Sequence, residues 1–142
     1  MTAKQRKWLV LGGALLLLAG VKLGLIYHWY GQRQPAKPQP LACAAGQLSC
    51  ALPGGGAWRF ASAPVHGKPF EIRLQGVAAR ETPQVEFNMA DMDMGFNRYT
   101  FVRDGADWKA TVTLPLCVSG SRDWLATLNL DGKRYLLPFS AR

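Results

Sequence analysis

The chain has 142 residues, 49% of them hydrophobic and 18% charged, with a formal net charge of +8. The length predicts one ordinary domain. Lys4, Arg6, Lys7 and Lys22 fall in the N-terminal 30 positions with no acid beside them, and the remaining 13 basic and 9 acidic residues are interspersed, which excludes a nucleic-acid patch.

Residues 1–7 form a short basic N-terminus. Residues 8–30 read WLVLGGALLLLAGVKLGLIYHWY, 23 positions interrupted by the single charge of Lys22. A bilayer core needs about 20 apolar residues in a helix. Lys22 lies near the far end, where its stem can snorkel outward, and Trp29 and Tyr30 suit the headgroup level. The positive flank predicts a cytoplasmic N-terminus and export of everything after the span. A cleaved signal peptide is the rival reading. The bulky His28-Trp29-Tyr30 stands where small residues would be needed for cleavage, so a retained single-pass anchor is expected.

Residues 31–40, GQRQPAKPQP, hold three prolines and no large apolar residue. Such a stretch is a semi-rigid spacer. The globular part is then 41–142, enough for a small core.

That part reads as strands. Trp58-Arg59-Phe60-Ala61 follows a Pro-Gly-Gly-Gly turn. Phe70, Ile72 and Leu74 alternate on one face, as do Val85, Phe87 and Met89, and then Trp108, Ala110, Val112 and Leu114. Tyr99-Thr100-Phe101-Val102 leads into Asp104-Gly105, and residues 124–130 lead into Asp131-Gly132 before a last strand at 135–139. Asp-Gly between apolar runs is a hairpin signal. Six or seven short strands at this spacing predict an all-β antiparallel sandwich of immunoglobulin-like type behind one transmembrane helix.

The feature that points to chemistry is Met89-Ala90-Asp91-Met92-Asp93-Met94, which holds three of the four methionines. Alternation carries Met89 toward the core. Met92 and Met94 stand between aspartates, where no core pattern calls for them. Soft thioethers presented together are what Cu(I) selects. A Met-x-Met pair in extended chain puts both sulfurs on one side, about 7 Å apart. Packing at the sandwich end is the competing account of the same residues. Asp91 and Asp93 would set the loop geometry, and Arg98 would pair with one of them to fix it.

Cys43, Cys50 and Cys117 all lie beyond the anchor, where an oxidising compartment permits disulfides. Six residues separate Cys43 from Cys50, a gap that a turn closes, so these two are expected to pair, with Cys50–Cys117 or a reactive dithiol as the alternatives. Met92 and Met94 would then be joined by Cys117 or Met89 as a third ligand; Cys117, after Leu114-Pro115-Leu116, is otherwise a small buried hydrophobe. His66, in Pro64-Val65-His66-Gly67-Lys68-Pro69, is the one histidine beyond the anchor and is expected to be an exposed turn residue. No nucleophile–base set and no phosphate loop before a helix is present, so no catalysis is expected.

An N-terminal anchor, a compact all-β domain, a methionine segment and the strand Trp108-Lys109-Ala110-Thr111-Val112-Thr113-Leu114-Pro115 together resemble the FixH and YtkA-like group of bacterial membrane-anchored domains. More narrowly, Asp91-Met92-Asp93-Met94-Gly95-Phe96-Asn97-Arg98 and Leu114-Pro115-Leu116-Cys117-Val118-Ser119-Gly120 resemble a set of proteobacterial proteins across most of residues 43–139. The resemblance implies an immunoglobulin-like sandwich on the periplasmic face of the bacterial inner membrane. It also implies copper handling, in which Cu(I) is bound or relayed for export or for assembly of a copper-containing oxidase. Members commonly carry a histidine near the methionines, which this chain lacks. The second functional class is an interaction module that docks on an inner-membrane complex through a deformable methionine surface.

Overall fold

The computed structural model describes residues 1–32, 36–44, 46–92, 95, 97–116 and 120–142. The chain divides into two units, Met1–Pro35 and Ala36–Arg142. The first is a single helix, α1 (Ala3–Gln32), with every residue exposed and with the length and composition to cross a membrane. At about 1.5 Å per residue it exceeds the ~30 Å hydrocarbon layer. It runs past the expected span at both ends because Lys4, Gln5, Arg6 and Lys7 are themselves good helix formers.

The second unit is a sandwich of two five-stranded sheets. One sheet has the order β1-β10-β9-β5-β6, built from β1 (Gln39–Pro40), β10 (Lys133–Ser140), β9 (Asp123–Leu130), β5 (Gln84–Met89) and β6 (Arg98–Thr100). The other has the order β2-β3-β4-β8-β7, from β2 (Ser49–Ala51), β3 (Ala57–Phe60), β4 (Pro69–Gln75), β8 (Asp107–Thr113) and β7 (Val102–Asp104). Every pairing is antiparallel except β1 on β10. The last two residues of the expected spacer thus belong to the sheet, where Pro40 is tolerated because an edge strand leaves one side unpaired.

The alternating positions supply the core. Phe70, Ile72 and Leu74 of β4 and Trp108, Ala110 and Val112 of β8 face Val85, Phe87 and Met89 of β5 and Trp124, Ala126 and Leu128 of β9, all buried. Each large side chain so removed from water contributes about 1.5–3 kcal/mol before entropy is counted. Phe139 links the layers, with ring centroids 5.3 Å from Phe60 and 5.9 Å from Phe87. Trp58, Trp108 and Trp124 are core residues, as the alternation requires.

The turns follow from their glycines. Between β7 and β8 the two-residue loop starts at Gly105, φ 64°, the position where a type II′ turn needs a positive φ. Between β9 and β10, Asp131 and Gly132 take φ of 47° and 79°, a type I′ arrangement. The Asp131 carboxylate also accepts the backbone N–H groups of Glu81, at 2.9 Å, and Arg80, at 2.9 and 3.1 Å, tying the 77–83 loop to the hairpin.

One strand expected at 99–102 is two. β6 pairs with β5 in the first sheet and β7 with β8 in the second. The switch is made at Phe101, which is 1% exposed and donates its N–H to Pro83 O at 3.0 Å. Nearby, Tyr99 Oη donates to Thr113 O at 2.7 Å, joining the two sheets. The chain therefore wraps one side of the sandwich rather than leaving two open edges.

Candidate metal site at one end of the sandwich

β5 and β8 both run toward the same end of the sandwich, and β9 starts there. The register and the hydrogen bonds show it: Met89, the last residue of β5, lies opposite Trp124 at the start of β9, and the turn at 66–67 bonds both Trp124 and Leu114, just after β8. The β5–β6 connection (90–97) and the β8–β9 connection (114–122) consequently leave from one end. These are the two stretches that carry the candidate ligands.

Met89 is 4% exposed and belongs to the core with Val85 and Phe87. Ala90, Asp91 and Met92 follow it into solvent, with Met92 55% exposed. Asp93 and Met94 lie outside the described residues, as does Cys117. On the β8 side, Leu114 is fully buried, whereas Leu116 is 77% exposed. Leu116 lies over Gly67, 3.4 Å from where a Cβ on that glycine would stand.

Arg98 pairs with Glu86, not with Asp91 as expected: Nη2 lies 3.2 Å from Oε2, between register partners on β6 and β5. The expectation considered only near neighbours in sequence, while strand pairing puts Glu86 directly across. Its alternative partner, Asp93, lies outside the described residues. The Glu86–Arg98 pair anchors the return of the methionine loop rather than its tip.

Cys43 and Cys50 form the disulfide, with Cα atoms 5.7 Å apart. Cys50 is 8% exposed in β2, and Cys43 is packed against the core from the segment after β1. The bond closes the domain's first segment. Cys43 also lines a cavity of about 190 Å³ with Ala90, Asp123, Trp124 and Phe139, so the disulfide borders the same end.

His66 is half-buried rather than an exposed turn residue. The Trp124 indole Nε1–H donates to its Nε2 at 2.8 Å, and its Nδ1 lies 3.2 Å from the Arg142 main-chain oxygen. Both ring nitrogens are engaged, so His66 supports the end of the sandwich. No local pattern marks this contact, since the two rings lie 58 positions apart in the chain.

Among the described residues no three His, Cys, Asp or Glu side chains gather into a metal-binding group. Thioether sulfur lies outside that donor set. The chemistry the described part of this end can offer is an exposed Met92 sulfur on a loop that a core-anchored Met89 and a Glu86–Arg98 pair hold at its two stems. No protein-family model matches the chain, and no curated protein matches its sequence.

Proposed function

We propose that the chain is a membrane-anchored periplasmic copper-handling protein that binds Cu(I) and relays it by ligand exchange, for export or for assembly of a copper-containing oxidase. Met92 and Met94 are the thioether ligands and Cys117 the third sulfur. Met89 serves as the core stem of the loop. Asp91 and Asp93 draw the cation from water and set the loop's shape. No bond of a substrate is made or broken.

The observation that carries the reading is topological. The methionine loop and the loop containing Cys117 leave one end of the sandwich, with Met89 facing Trp124 at their common base. Cu(I) is satisfied by two or three soft ligands, so two loops suffice. The resemblance to FixH and YtkA-like domains favours the same chemistry. The apolar α1 is taken as a retained anchor, with its basic start in the cytoplasm and the immunoglobulin-like sandwich held in the periplasm.

A second reading has its own observation. Met92 and Leu116, both large and exposed, lie on the two loops of this end. Flexible methionines suit a surface that adapts to a partner, and such a surface would dock on an inner-membrane complex without metal. Titration of the full chain with Cu(I) against a competing chelator separates the two. A metal site loses affinity in Met92→Leu and Met94→Leu, whereas a docking surface tolerates both.

A further inference from the structure

The turn at 64–68 touches three segments that are distant in sequence. Gly67 N–H donates to Leu114 O at 2.9 Å, just after β8. His66 N–H donates to Arg142 O at 2.8 Å, and Arg142 N–H returns to Pro64 O at 2.9 Å. The Trp124 indole, at the start of β9, reaches His66 Nε2, and the two rings lie 5.8 Å apart. The turn thus reaches the exit of β8 through Gly67, while its imidazole joins the entry of β9 to Arg142.

The hydrogen bonds assign its tautomer. An indole N–H can only donate, so Nε2 must be bare and accepting. The neutral ring then carries its proton on Nδ1, pointing to the Arg142 main-chain oxygen. A second proton has one place to go, Nε2, where it would meet the Trp124 N–H head-on. Two donors cannot share that contact. Trp124 is 1% exposed, so its released N–H finds no water without movement.

We propose that His66 is an acid-sensitive latch, closed while the imidazole is neutral and opened when it gains its second proton, which frees the entry of β9 from the turn at 64–68. Histidine is the side chain whose charge changes between about pH 5 and 8, the range an exported domain meets. The groups around the ring do not replace Nε2 as the acceptor of the Trp124 N–H. Trp124 and the Arg142 main-chain oxygen touch it. The charged residues next in sequence to these contacts are Lys68 on its own turn, Arg122 and Asp123 before Trp124, and Arg142, which carries a guanidinium and the α-carboxylate. Of the two acids, Asp123 accepts the Ser140 hydroxyl at 3.0 Å, and the Arg142 α-carboxylate, whose oxygen lies 3.2 Å from Nδ1, favours the cation on that side without offering the Trp124 N–H an acceptor. The latch stands independently of metal binding.

The test is 15N NMR on the full chain in detergent micelles, without metal, stepped from about pH 7.5 to about pH 5 across the histidine range. The imidazole nitrogens report the state of His66, and the Trp124 indole N–H reports the latch. As His66 becomes cationic, the indole resonance should leave its hydrogen-bonded position and its protection from exchange should fall at least about tenfold, with the amides of 122–124 following. His66→Gln, which keeps an uncharged acceptor, should hold the indole in place across the series. The proposal is overturned if the Trp124 resonance stays put while His66 charges, if His66 stays neutral throughout, or if the Gln variant shows the same acid transition.

Discussion

Met89 and Trp124 are register partners at the end of the β5–β9 pairing, and both are buried. One is the stem of the methionine loop, the other the landing of the loop that carries Cys117. Their pairing sets a stem of each loop side by side, as antiparallel pairing does wherever strands end together.

A first prediction separates the stem from the ligands. Met89→Ala should destabilise the domain by about 2–5 kcal/mol, because it leaves a cavity in a packed core. Met89→Leu should cost less than about 1.5 kcal/mol and leave Cu(I) affinity unchanged. Chemical denaturation with a metal titration in parallel checks both halves.

Much of this architecture could be read from the residues, and the failures have a common cause. Period-2 alternation at 70–74, 85–89 and 108–114 marked strands that are long enough to show a period, and the Asp-Gly pairs marked real hairpins. β1 and β2 have two and three residues, too few for any period. Tyr99-Thr100-Phe101-Val102 reads as one strand because alternation does not record a change of partner, and Phe101 stays inward through the switch. The partner of Arg98 and the role of His66 are set by contacts across strands and across 58 residues, which only register supplies. The candidate ligand types were legible; that the stems of their two loops share one end is a matter of topology.

The disulfide gives a second prediction. The closed loop is short, so reduction, or the double change Cys43→Ser with Cys50→Ala, should lower stability by about 2–3 kcal/mol in the chain-entropy account. Equilibrium unfolding with and without reductant measures it. Because the bond pins only the first segment, the far-ultraviolet spectrum of the remaining sheet should persist.

Asp131 should govern part of the acid response. The backbone N–H groups of Glu81 and Arg80 hold its pKa below the ordinary 3.8. A carboxyl whose folded pKa is depressed stabilises the fold above its unfolded pKa, and that contribution is lost as pH falls through the lower folded value. Asp131→Asn keeps a residue tolerant of the positive φ but removes the charge. Its stability should therefore fall less than wild type between about pH 4 and pH 2 in acid titrations followed by tryptophan fluorescence.

His66→Ala should destabilise the domain at neutral pH by about 1–3 kcal/mol, since it strands the buried Trp124 N–H. His66→Gln should recover part of that loss. Thermal unfolding of the two variants side by side reads the difference.

The central claim is that thioether sulfur at this end of the sandwich holds Cu(I). The measurement is competition between the purified full chain and a Cu(I) chelator, for wild type, Met92→Leu and Met94→Leu. Changes one shell away from a metal already cost about 10–100-fold in affinity, so loss of a direct ligand should cost at least that, with the fold intact because Met92 is exposed. Wild type that takes no copper from the chelator, or two leucine variants that bind as tightly as wild type, would contradict it.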